Sequence, residues 1–124
     1  MRAWIFQAAL AAILASISSG CGEPAAVSRA LGARCERHGD CDERCLGDDD
    51  QRYPDGFCSL SCDRHRDCPA GAVCAAVAGG VCLFACDAPE ACAFLGPEWT
   101  CMTQPARSLR ADDPPREVQV CLGQ

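Results

Sequence analysis

The sequence predicts a small disulfide-rich fold, mostly irregular with short β-hairpins, built as three tandem four-cysteine repeats. Three observations lead there. The chain of 124 residues holds 13 cysteines. From Cys35 onward, twelve of them fall into three groups of the form C-x5-C-x(3 to 8)-C-x(7 to 19)-C, with three residues between groups. Beyond residue 20 the chain has only sixteen Leu, Val or Phe side chains, and ten arginines face seventeen acids. That composition is close to a disordered one. Each bridge closing a loop of this size contributes roughly 2–4 kcal/mol by restricting the unfolded chain, so the cysteines take the place of a large core.

Residues 1–20 read as a signal peptide. Met1 and Arg2 form a short positive start, and Ala3 to Ile17 is apolar apart from Gln7 and Ser16. The run is shorter than the ~20 residues of a membrane-spanning helix and ends in the small residues Ser18, Ser19 and Gly20. Residues 21–34 read as a lipidated cysteine and tether. Cleavage before Cys21 suits a lipoprotein peptidase, which would leave this cysteine as an S-diacylglyceryl N-terminus. Parity supports that reading, because setting Cys21 aside leaves twelve cysteines able to pair in full. So much cysteine in an exported chain places it in an oxidising, extracytoplasmic compartment. Beyond residue 20 there is no Lys, Asn or Ile, as a GC-rich bacterial genome would give, and no N-glycosylation site.

The first repeat, 35–58, contains Cys35, Cys41, Cys45 and Cys58; the second, 62–82, contains Cys62, Cys68, Cys74 and Cys82. The third, 86–121, contains Cys86, Cys92, Cys101 and Cys121. Each opens on a seven-residue stretch, "CERHGDC", "CDRHRDC" or "CDAPEAC". The interval reads as a loop too short for an element of its own, with Asp40 or Asp67 accepting backbone N–H bonds. The second halves carry apolar pairs around cysteine, "AVCAA" and "GVCLF" in the second repeat, "WTCM" and "VQVCL" in the third. These read as strands, and Gly79 and Gly80 between the first two signal a hairpin turn. No segment has a 3.6-residue period, so helices should be few and short.

If bridges stay within repeats, 27 patterns are open, three for each repeat. The expected one joins first to third and second to fourth, tying the opening loop to both strands of the hairpin. It pairs Cys35 with Cys45, Cys41 with Cys58, Cys62 with Cys74, Cys68 with Cys82, Cys86 with Cys101, and Cys92 with Cys121.

Several chemistries find little support in the residues. No C-x2-C pair of the zinc or thioredoxin kind occurs. His38 and His65 sit at equivalent repeat positions and read as exposed loop residues, with Pro89 in the third copy. The acidic loop "GDDDQRYPDG", 47–56, lacks alternate-position calcium ligands because Arg52 falls where an oxygen is needed. No G-x-S-x-G nucleophile motif is present, so we expect no catalytic residues, no metal, no cofactor and no enzyme activity. The acidic balance offers no basic stripe for nucleic acid or for an anionic lipid surface, and leaves the lipid anchor as the only expected membrane contact.

The export signal, "ISSGCG" and the D-C-P-x-G-x-x-C string at 67–74 resemble the cysteine-rich, mostly uncharacterised lipoproteins of Gram-negative bacteria. The repeat unit is also loosely similar to Dickkopf and EGF-like disulfide modules. The first resemblance implies an outer-membrane lipoprotein, since Gly22 rather than Asp follows the cysteine. The second implies a binding function, with an unknown protein or cell-surface ligand as partner. The expected function is a lipid-anchored extracytoplasmic binding or surface-structural module without catalysis. The alternative is a secreted protease inhibitor using the 103–117 loop, "TQPARSLRADDPPRE", expected to be exposed and mobile, with Arg107, Leu109 and Arg110 as recognition residues.

Overall fold

The structure is a computed structural model and describes residues 27–47, 52–107 and 116–124. Three two-stranded antiparallel sheets follow one another along the chain, one per four-cysteine unit. Strands β1 (Arg44–Leu46) and β2 (Phe57–Ser59) form the first, β3 (Ala72–Ala75) and β4 (Val81–Phe84) the second, β5 (Trp99–Pro105) and β6 (Glu117–Gly123) the third. In each sheet the unit's third and fourth cysteines lie directly opposite: Cys45 with Cys58, Cys74 with Cys82, Cys101 with Cys121.

Those facing cysteines do not bond to each other. The six bridges are Cys35–Cys45, Cys41–Cys58, Cys62–Cys74, Cys68–Cys82, Cys86–Cys101 and Cys92–Cys121. Each unit therefore fastens its opening segment to both strands, and the sulfurs of the two bridges sit together. In every unit three sulfurs, such as those of Cys35, Cys41 and Cys58, lie within 4.8 Å of one another.

The opening segments correct one expectation, because they do form elements. His38–Asp40 and His65–Asp67 are single 3-10 turns, and Pro89–Leu95 is a longer one. The Asp supplies the reason in the first two. Asp40 Oδ2 accepts the backbone N–H groups of Glu36 and Arg37 at 3.0 and 3.3 Å, and Asp67 Oδ2 those of Asp63 and Arg64 at 3.0 and 3.2 Å. A carboxylate taking donors from the residues just before the turn fixes its start. In the second hairpin the turn Val77–Gly79 has positive φ at Ala78 and Gly79, as does Gly80 directly after it.

The N-terminal segment is also less of a tether than 21–34 implies. From Ser28 onward it docks on the first unit, where Gly32 N–H donates to the Cys58 carbonyl and Cys58 N–H to the Ala33 carbonyl, both at 2.8 Å. Leu31 is the cause, for it is buried in the main core.

That core draws on all three units. Phe57 of the first meets Phe84 of the second edge-on with ring centroids 6.0 Å apart, and Trp99 of the third at 5.3 Å. Leu46 and Tyr53 of the first unit, Val81 and Leu83 of the second, and Val120 and Leu122 of the third pack into the same core. The joints between units are extended backbone rather than slack linkers. Cys82 N–H donates to the Leu60 carbonyl, Cys62 N–H to that of Gly80, and Cys86 N–H to that of Gln119. Buried Ser59 donates its hydroxyl to the Cys82 carbonyl at 2.7 Å.

Candidate functional site

The two histidines are not merely exposed. Cys45 and Cys82, Cys58 and Cys74 occupy register positions whose backbone groups point away from their own sheet, as the outward bonds of Cys58, Cys74 and Cys82 show. His38 Nδ1 accepts the outward N–H of Cys45 at 2.9 Å, and His65 Nδ1 accepts that of Cys74 at 3.0 Å. Each imidazole thus seals the edge of its hairpin at the bridged cysteine, a structural task for the nitrogen that a ligand or base would otherwise use. The matching Arg-His placement in two repeats was the visible signal; the acceptor role needed the fold.

The bridged cysteines cannot serve as thiolate ligands, because their sulfurs are committed to S–S bonds. A shallow cleft of about 370 Å3 is lined by Arg34, Cys35, Glu36, Asp40 and Asp55. Its charges are largely directed at one another: Arg34 faces Asp55 at 3.7 Å, and Asp40 is engaged as above. The N–H donors of Glu36 and then Arg37, with the Arg37 charge, hold the Asp40 carboxyl below the usual carboxylate range. A carboxylate so stabilised is a weak base. Of the acidic 47–56 loop, residues 48–51 lie outside the described residues, while Asp55 is turned to Arg34.

The 103–117 segment needs the largest correction. Thr103, Gln104 and Pro105 belong to β5 and Glu117 to β6, so pairing continues to Pro105 opposite Glu117. Pro105 is tolerated because of its phase in the ladder. Gln119 and Gly123 turn backbone groups away from β5, toward Cys86 N–H and the Arg52 carbonyl, so the positions opposite them, and Pro105 two further on from Thr103, are not hydrogen-bonded within the sheet. An N–H at Pro105 is not needed there, and its carbonyl accepts Ala76 N–H at 2.8 Å.

Among the expected recognition residues, Leu109 and Arg110 lie outside the described residues. Arg107 is described and engaged. Its Nη2 lies 3.2 Å from Asp63 Oδ1, its Nη1 donates to the Gly79 carbonyl, and its backbone N–H donates to the Cys74 carbonyl at 3.2 Å. Arg44 of the first unit reaches the same turn, donating to the Ala78 carbonyl at 3.3 Å. The second hairpin's turn is thus gripped by guanidinium groups from both neighbouring units.

Cys21 lies outside the described residues. No helix among the described residues is long and apolar enough to cross a membrane. No protein-family model, curated protein or solved structure matches the chain. What stands is a small cysteine-rich domain with six disulfides in three β-hairpin units, a bridge content that suits an oxidising, extracytoplasmic setting.

Proposed function

We propose that the chain is a lipid-anchored, extracytoplasmic binding or surface-structural module without catalytic activity, exported by its N-terminal apolar segment and held at the outer membrane through Cys21. The observation that carries this reading is the cysteine balance. The six bridges use twelve of the 13 cysteines, and the one left over stands after the apolar run and small residues of an export signal. A free thiol is a liability in an oxidising compartment, whereas a thioether to lipid is inert. The stapled units resist local opening, and their surface of short loops suits recognition of a protein or cell-surface ligand. The inhibitor alternative requires Arg107 or Arg110 to project from the 103–117 segment; Arg110 lies outside the described residues, and the engagement of Arg107 speaks against that role for Arg107.

Intact mass spectrometry of the mature protein tests the anchor. The expected chain begins at Cys21, carries the diacylglyceryl mass and gains twelve hydrogens on reduction, one pair per bridge. The Cys21→Ser variant should leave the detergent phase or fail to be processed. A mature protein with a free Cys21 thiol and no lipid mass would overturn the proposal.

A further inference from the structure

Among the described residues the large apolar side chains left exposed are Val27, Phe94 and Met102, and the first two belong to one strip. A methyl group placed on Gly32 would lie 3.5 Å from Val27 and 2.7 Å from the Phe84 ring, so both side chains converge on that glycine. Phe84 in turn meets Phe94 edge-on, with ring centroids 5.1 Å apart. The middle of this strip is buried, while its ends, Val27 and Phe94, are 48% and 39% exposed.

Two facts say what covers it. The first is reach. Val27 is where the described chain enters the fold, and six residues carry it from Cys21. Six residues span at most ~20 Å, less than twice the ~13 Å radius of gyration of a domain of about 100 residues. An anchor at Cys21 therefore holds the entry side close to the bilayer instead of displaying the domain on a stalk. The second is charge. Residues 21–34 carry Arg29 and Arg34 against Glu23, whereas residues 35–124 carry eight arginines against sixteen acids. Both guanidinium groups are well exposed, with partners only at the surface: Arg29 donates to the Gly39 carbonyl at 3.2 Å and lies 3.8 Å from Asp42, and Arg34 lies 3.7 Å from Asp55. Arg34 Nη2 also lies 4.0 Å from where a methyl on Gly96 would sit, just past the turn that bears Phe94.

We infer that Val27 and Phe94, flanked by Arg29 and Arg34, rest on the phospholipid surface and hold the anchored domain in one orientation. The inference rests on the lipid-anchor reading. The apolar ends enter the headgroup–acyl boundary, and the exposed guanidinium groups exchange their surface carboxylate partners Asp42 and Asp55 for lipid phosphates. Because a diacyl anchor already secures attachment, the strip sets orientation and leaves partitioning unchanged.

The test uses the full lipidated chain, isotopically labelled, in nanodiscs of phosphatidylethanolamine and phosphatidylglycerol doped with nitroxide-labelled lipid. The expected result is several-fold stronger attenuation of the Val27 and Phe94 signals than of Val77, which sits at the opposite end of the β3–β4 hairpin from Phe84. Substituting Val27→Asp together with Arg29→Glu and Arg34→Glu, all at exposed side chains, should even out the three signals without changing the disulfide map. Intact mass of the same sample reports the lipid. Lipid present with even or reversed attenuation overturns the orientation alone; lipid absent overturns the anchor reading and the orientation with it. A concentration-dependent dimer of soluble Cys21→Ser protein that protects Val27 and Phe94 would assign the strip to a second copy and likewise overturn it.

Discussion

At the scale of single residues, a few polar side chains do work that the cysteine framework cannot do for itself. His38 and His65 each accept a cysteine N–H that its own sheet leaves outward. His65→Ala should lower stability to denaturant by about 1 kcal/mol under non-reducing conditions, with the disulfide map unchanged, because water replaces part of the lost bond. No loss on replacing either histidine would mean that solvent satisfies those N–H groups equally well. Asp40 makes a pH-dependent contribution whose sign is fixed. Its carboxyl is held below the usual carboxylate range by the Glu36 and Arg37 N–H donors, so the contribution is complete above the ordinary aspartate value and fades as acid titrates the folded carboxyl. Carbon-detected NMR titration should place its midpoint below that of a free aspartate. The wild-type advantage over Asp40→Asn should shrink only in that acidic range.

At the scale of elements, the hairpins were legible because a cysteine flanked by apolar residues recurs at a fixed distance from the next repeat, and cysteine spacing survives without any core signal. The short 3-10 turns were not legible, since a six-residue interval carries no periodicity, and the Asp that organises it resembles any turn Asp. The extension of β5 as far as Pro105 was hidden for a different reason: whether proline breaks a ladder depends on which way its nitrogen faces, and that phase appears only once register is known. The docking of residues 28–34 was hidden too, because one leucine among small residues gives little pattern. Glycine makes the sharpest element-scale prediction. Gly56 adopts φ +79°, and a methyl there would lie 1.9 Å from the Cys35 carbonyl oxygen. Gly56→Ala should cost about 2 kcal/mol or more, or lower the yield of correctly bridged first unit, as peptide mapping would show. Gly39→Ala is the control, as nothing lies within 4 Å of its added methyl.

At the scale of the molecule, the units share aromatic contacts, joint hydrogen bonds and the two-sided grip on the Val77–Gly79 turn, so they should unfold together. A double-mutant cycle on Arg44→Ala and Arg107→Ala should give an interaction energy of about 0.5 kcal/mol or more, read from denaturant midpoints. Additive effects would show that the turn does not transmit between its neighbours. The bridges differ in reach, from a sequence separation of 10 for Cys35–Cys45 to 29 for Cys92–Cys121. By loop entropy, replacing the longer pair with serines should cost about 1 kcal/mol more than replacing the shorter. The candidate site was the least legible part of the chain, since Arg107, one of the two arginines that stood out in sequence, pairs its charge with a neighbouring unit.

The crowding of sulfurs within each unit also governs how the molecule comes apart chemically. When a reductant opens one bridge, the released thiolate lies within 4.8 Å of a sulfur of the companion bridge, far nearer than any external thiol at ordinary concentration. Exchange inside the unit then outruns escape, and each unit works as a closed shuffling compartment that corrects a wrong partner locally. Partial reduction followed by rapid alkylation should yield scrambled pairings confined to single units, with crossed species between units appearing only after the shared core has melted.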